Sequence, residues 1–265
     1  MFIPPIALIA LGLTLIFQPG AFGAKHEIIL ERIAKRADAG WVVPNPEFET
    51  YDYVRLASGL AGTDWAIVNK IRPLVPIDYA PSNLREIESS KTLDNSRGLE
   101  LADQAASALE ELAAQLSAEG AGKLFMNSAY RSYDYQKELF VSKTKQYGLE
   151  GALIRSAKAG HSEHQTGLAV DVSVPEQGCA IMQCFGNTVG GQWLAANAWK
   201  FGFVVRYEEE TESITGYTYE PWHLRYVGKE IAAKYHAGDF HTLEEFWGFP
   251  SAPYYLEEIT PSTSD

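Results

Sequence analysis

One acid stands where an apolar strand would be expected. Asp171 interrupts the run from Gly167 to Val174, which is otherwise short and uncharged. A lone charge inside such a strand costs several kcal/mol unless it is paired or bound to a cation. Any fold this chain adopts must therefore bring Asp171 a partner. His164 lies upstream, and Gly167 between them lets the chain turn back so that both side chains face one point. Further on, Glu220-Pro221-Trp222-His223 supplies a second imidazole and a spare carboxylate.

Two imidazoles and one carboxylate, with a fourth position left open, form the donor set of a catalytic zinc. Neutral imidazole and carboxylate suit a borderline-soft divalent ion. His164, Asp171 and His223 are the expected ligands of one Zn2+ per chain. Pro221 pushes Glu220 out of the α region, so this is not the helical His-Glu-x-x-His arrangement. Glu220 can instead stand beside the cation without binding it, as the general base and acid for water. Arg131 falls at a strand-to-helix junction in Ser128-Ala129-Tyr130-Arg131-Ser132. There its planar fork can meet a carboxylate or a carbonyl gaining charge, or form a surface ion pair. Gln136, on the first turns of the next helix, can face the same cleft. His26, His161, His236 and His241 are read as hydrogen-bonded structural residues, with His161 near enough to line the site. Trp222 reads equally as a wall of the site or as core.

The net charge of −12 is scattered, which excludes the clustered Lys and Arg that a nucleic-acid partner needs. Residues 1–23 carry no charge and are apolar from Ile3 to Phe17, with small residues before a cut after Gly23. They are expected to be a signal peptide or an N-terminal anchor, the one possible membrane tether. Export then places the protein in the periplasm, the cell envelope or the medium. In that setting Cys179 and Cys184 are expected to close a small disulfide loop, the alternative being two further metal ligands.

The spacing of Leu99, Leu101, Ala105, Ala108, Leu109, Leu112 and Leu116 predicts an amphipathic helix from Leu99 to Leu116. A helix capped by Ser132 is expected from Tyr133 to about Tyr147, with Gly148 as its stop. A third is expected from Gln192 to Phe201, and others at 229–237 and 243–247. Strands are expected at 124–130, 167–174, 203–207 and 217–226, with an acidic loop at 208–215. These predict an α+β fold with a small central antiparallel sheet flanked by helices. The expected organisation is a leader (1–23), an N-terminal arm (24–65), a catalytic domain (66–250) and a weakly ordered tail (251–265).

Tyr-Arg-Ser-x-x-x-Gln, Ser-x-His-x-x-Gly-x-Ala-x-Asp and Glu-Pro-Trp-His-x-x-Tyr occur here in that order. The set resembles the VanY/LdcB-type zinc D,D- and L,D-carboxypeptidases of the LAS superfamily, over roughly Asn69 to Gly228. That resemblance implies the LAS/hedgehog-type metallopeptidase fold and the same metal and catalytic roles for His164, Asp171, His223 and Glu220. It also implies Arg131 holding a substrate carbonyl or carboxylate, and Gln136 and Ser162 lining the pocket. The implied partners are peptidoglycan stem peptides, and the implied reaction is loss of their terminal D-alanine. Competing expectations are an endopeptidase with the same site, a non-catalytic zinc-containing wall-binding module, and a cytosolic dipeptidase. An intact Glu220 opposes the module; the leader and the cysteine pair oppose the cytosolic enzyme.

Overall fold

The computed structural model describes residues 62–256. The leader, the arm before residue 62 and residues 257–265 lie outside the described residues, as does His26. In chain order the strands are β1 (Leu84–Glu86), β2 (Leu93–Asp94), β3 (Glu100–Ala102), β4 (Leu124–Ser128), β5 (Ala169–Ser173), β6 (Phe203–Tyr207) and β7 (Glu220–Tyr226). The helices are α1 (Asp103–Ala118), α2 (Tyr133–Leu153), α3 (Val189–Asn197), α4 (Glu212–Thr215), α5 (Lys229–Ala237) and α6 (Leu243–Trp247). No helix among the described residues is long and apolar enough to cross a membrane.

The main sheet has the order β2-β4-β5-β7-β6, and β1 pairs with β3 apart from it. All neighbours in the main sheet are antiparallel except β2 and β4, which are parallel. The sheet is thus mixed at one edge, where a wholly antiparallel one was expected. The connection from β2 to β4 passes through α1, and such a crossover returns the chain in the same direction.

β5 is the middle strand and all five of its residues are buried. Alternation sends Val170 and Val172 to one face, where they join Leu124, Met126 and Leu224 in the core. α1 closes that core with Leu109, Leu112 and Leu116, all fully buried. Each such leucine is worth about 1.5–3 kcal/mol of burial. The other face of β5 carries Ala169, Asp171 and Ser173, so the polar row of the sheet lies opposite α1. A second apolar cluster gathers Ile67, Val204, Val227, Ile231, Tyr235 and Leu243.

Several boundaries differ from expectation. α1 begins at Asp103 because Leu101 is a strand residue opposite Arg85, and Ala102 keeps an extended ψ of 139°. Ser132 caps α2 through Tyr135 N–H, and Gly148 (φ 73°, ψ 169°) breaks it, but a second helical piece continues to Leu153. α3 starts early, at Val189, where the Thr188 hydroxyl accepts from Gly191 N–H, and ends in a 3-10 turn before Gly202. The acidic loop contains the single-turn α4. The first residues of the expected loose tail are packed: Ala252 and Tyr255 are buried, Ala252 N–H donates to Ile214 O, and Lys158 N–H donates to the Tyr255 hydroxyl. Asp64, assigned to the arm, accepts from Gln104 through its carboxylate and from Arg225 through its carbonyl.

Candidate active site

Strand register builds the site. Asp171 stands opposite Ser128 on β4 and opposite His223 on β7. Directly opposed residues of antiparallel neighbours share a face, so these three form one row across the sheet. Glu220 and His223 are three residues apart, which in a regular strand would put them on opposite faces. The register between β6 and β7 slips between Val205 and Tyr207, leaving Tyr207 opposite Glu220. That irregularity brings Glu220 Oε2 to 3.7 Å from His223 Nδ1. A second slip, at Met126/Ser128, sits at the other end of the row. Irregularities of this kind re-aim side chains beside active sites.

His164 arrives from a 3-10 turn, Glu163–Thr166, ended by Gly167 in the left-handed conformation (φ 72°). A side chain there would be strained, and a Cβ would lie 3.1 Å from Ala102 N. His164, Asp171 and His223 are all buried, and one ligand atom from each lies within 4.8 Å of the others. His164 Nδ1 bonds to Ala129 O at 2.7 Å, which leaves Nε2 facing Asp171 Oδ2 at 3.3 Å. His223 Nε2 is 3.4 Å from Glu163 Oε2, and its Nδ1 is 3.2 Å from Asp171 Oδ1. Asp171 Oδ1 is buried without a hydrogen-bond partner. A carboxylate flanked by two imidazole nitrogens, one on each oxygen, with Oδ1 unpartnered and each ring held by its other nitrogen, fits a divalent cation such as zinc.

Charge is balanced around this point. Burial and the nearby Arg131 guanidinium lower His164 to about 4. Burial opposes charge on His223, but the carboxylates of Asp171 and Glu163 outweigh it and raise the ring to about 9. Ligation at Nδ1 needs the deprotonated ring, so cation binding is coupled to proton release. Burial would raise Asp171, yet His164, His223 and Arg131 hold it well below the ordinary carboxylate range. Burial pushes Glu220 up to about 8, against the pull of His223. A carboxyl group tuned to near neutrality can both take and return a proton.

Arg131 donates from Nη2 to Asp171 Oδ2 at 2.8 Å, from Nε to Ser128 Oγ at 2.8 Å and from Nη1 to Gln136 Oε1 at 3.4 Å. One N–H on each terminal nitrogen remains for a ligand. Gln136 is fully buried behind Arg131, and its amide nitrogen donates to Ala157 O. It holds the guanidinium and does not line the cleft. Ser162 does line it, as do Tyr217, Trp222 and Ile181, around a volume of about 430 Å³. Trp222 also packs on the core, so both readings of it apply. His161 is away from the cleft wall: its Nδ1 contacts Asn69 O and its ring meets Tyr255 edge-on. His236 stacks on Trp199, and His241 pairs with Glu208. Cys179 and Cys184 are joined as a disulfide, and Ile181 lies within the loop it closes.

Sequence reasoning missed the layer beneath the site. Glu163, fully buried, accepts from Arg206 Nε at 2.8 Å and Arg225 Nη1 at 3.0 Å as well as contacting His223. Burial alone would raise Glu163, but Arg206 and Arg225 hold it well below the ordinary range. Arg206 also forks onto Glu244, at 2.9 and 2.7 Å. The rule that singled out Asp171 applies equally to Arg206 inside Phe203–Tyr207: a charge within an apolar strand needs a partner.

Residues 98–229, which contain every one of the proposed metal and catalytic residues, match the VanY D-alanyl-D-alanine carboxypeptidase family. YodJ of Bacillus subtilis strain 168 is 41% identical over 184 residues, 69% of this chain and 66% of its own length. The structure of the LdcB LD-carboxypeptidase superposes with a TM-score of 0.62 at 39% identity, covering 71% of this chain and 87% of that one. A variant of the vancomycin-resistance D,D-pentapeptidase VanY in complex with Zn(II) gives a TM-score of 0.56 at 28% identity, covering 68% and 96%. The chain spans 41% to 66% of the length of the curated relatives it matches. With the motifs, the register that unites them and these likenesses in agreement, the chain belongs to the VanY/LdcB family of carboxypeptidases.

Proposed function

We propose that the protein is an exported zinc carboxypeptidase that hydrolyses the terminal D-alanine from peptidoglycan stem peptides. The observation that carries this reading is the row Ser128–Asp171–His223 with His164 and Glu220 turned toward it. A zinc ion held by His164 Nε2, Asp171 and His223 Nδ1 would supply Lewis acidity for water and the scissile carbonyl. Glu220 takes the proton of the attacking water and returns it to the departing amine. Arg131 places its two remaining N–H groups on the carbonyl oxygen as it gains charge, or on the terminal carboxylate. Glu163 keeps the His223 ring turned so that Nδ1 faces the site. Family membership, and the D-alanyl peptides and peptidoglycan named for its relatives, support this substrate class. The charge-free leader and the disulfide support export.

The test is mass spectrometry of tetra- and pentapeptide muropeptides after incubation with purified protein. Loss of one alanine, abolished by chelator and restored by zinc, is expected. Glu220→Gln should lower kcat by about 10²–10⁴ while the protein still binds one zinc per chain. No loss from either peptide overturns the reading, and full activity in the variant overturns the role of Glu220.

A further inference from the structure

The cleft has a second electrostatic layer. Its lining includes the buried acids Glu163 and Asp171 and the half-buried Glu220, together with the exposed Arg97 and Arg155 and the half-buried Lys143. Arg85, Arg131, Arg206 and Arg225 each engage a carboxylate. Arg97 and Arg155 do not, among the described residues. Arg97 donates from Nη1 to Asn127 O at 2.6 Å and lies over the Phe125 ring. Arg155 donates from Nη1 to Gly151 O at 3.1 Å and lies over Tyr147 at 5.4 Å. Lys143 approaches the same ring, at 5.6 Å. Carbonyls and aromatic faces fix these side chains without neutralising them, and most of their N–H donors stay free. In a chain of net charge −12, three unneutralised cations on one cleft do not follow from composition. They raise the local concentration of anions and can hold carboxylates bidentately.

We propose that Arg97, Lys143 and Arg155 form a carboxylate-reading subsite that selects peptides bearing free carboxylates on the residues preceding the scissile bond. This rests on reading the cleft as the stem-peptide site. An amide in place of such a carboxylate removes the charge and one acceptor, so amidated stems become poorer substrates through KM.

The experiment uses two synthetic stem peptides with the same terminal D-alanine, one with free side-chain and α-carboxylates and one with these amidated. The zinc-loaded protein should cut the free-carboxylate peptide with about tenfold higher kcat/KM, as expected for two or three exposed charge contacts. The difference should shrink at high ionic strength. The combined variant Arg97→Gln/Lys143→Gln/Arg155→Gln should cut both peptides with equal kcat/KM. Equal rates in the unmodified protein, or discrimination kept by the variant, overturn the proposal. If neither peptide is cut, the functional reading fails separately. Calorimetric titration with the same peptides lacking the terminal alanine then decides the subsite: tighter binding of the free-carboxylate form, lost in the variant, sustains it, and equal binding overturns it.

Discussion

Glu163→Gln isolates what the buried layer does for the site. In the native protein the Glu163 carboxylate meets Arg206, Arg225 and His223 with no exposure to solvent. Arg206 keeps two contacts to Glu244 after the change. Arg225 loses the one carboxylate it touches among the described residues and is left with the carbonyls of Asp64, Ala66 and Tyr226. Removing one partner of a buried pair costs about 3–5 kcal/mol, and the surviving Glu244 contacts argue for the lower end. At about 2–4 °C per kcal/mol for a domain of this size, a loss of ~3 kcal/mol lowers Tm by about 6–12 °C. The Gln amide can also present its nitrogen to His223 Nε2, which would turn the ring and weaken zinc binding by about 10–100-fold. Calorimetry of the metal-free protein reads the first effect, and competition with a chromogenic chelator reads the second. A Tm within 1 °C of the native value together with unchanged zinc affinity would refute the argument that this layer supports the metal site.

Three further outcomes are expected. Gly167→Ala should destabilise by about 1–2 kcal/mol, since its φ of 72° disfavours a side chain and its Cβ would crowd Leu84 and Ala102; chemical denaturation measures this. Replacing Cys179 and Cys184 together by serine frees a loop in which Ile181 lines the cleft at φ 54°, so KM should rise several-fold with kcat retained in steady-state assays. Burial raises Glu208 above its ordinary 4.5, against its bond to His241. An acid whose folded pKa is raised binds its proton more tightly in the folded state, so stability falls as pH climbs from the ordinary value through the folded one. Glu208→Gln should flatten that fall, visible as Tm against pH.

The residues that the structure brings together at the candidate site were legible one by one in the sequence. Asp171 stands out as an acid in an apolar strand and Glu220 as a proline-bounded Glu beside a His, while His164 and His223 entered as imidazoles able to meet the same cation. The disulfide was legible from two cysteines in one short loop. Helix starts were less so. Leu101 fits both a helical and a strand period, and pairing with Arg85 on β1 decided for strand, while Leu99 falls just before β3. Gln136 looked like a cleft residue on helical spacing, but its burial makes it a support for Arg131.

The chain's own chemistry determined which atoms can hold a cation and move a proton, because donor type is a property of single residues. Where those atoms stand was decided by strand register. Asp171 opposes His223 only because β5 and β7 pair as they do, and Glu220 joins them only because the ladder slips beside Tyr207. Likewise, the partners of Arg206 and Arg225 come from segments far apart in the chain. Such contacts depend on how distant elements pack, and a linear pattern carries periodicity and residue type but not that arrangement.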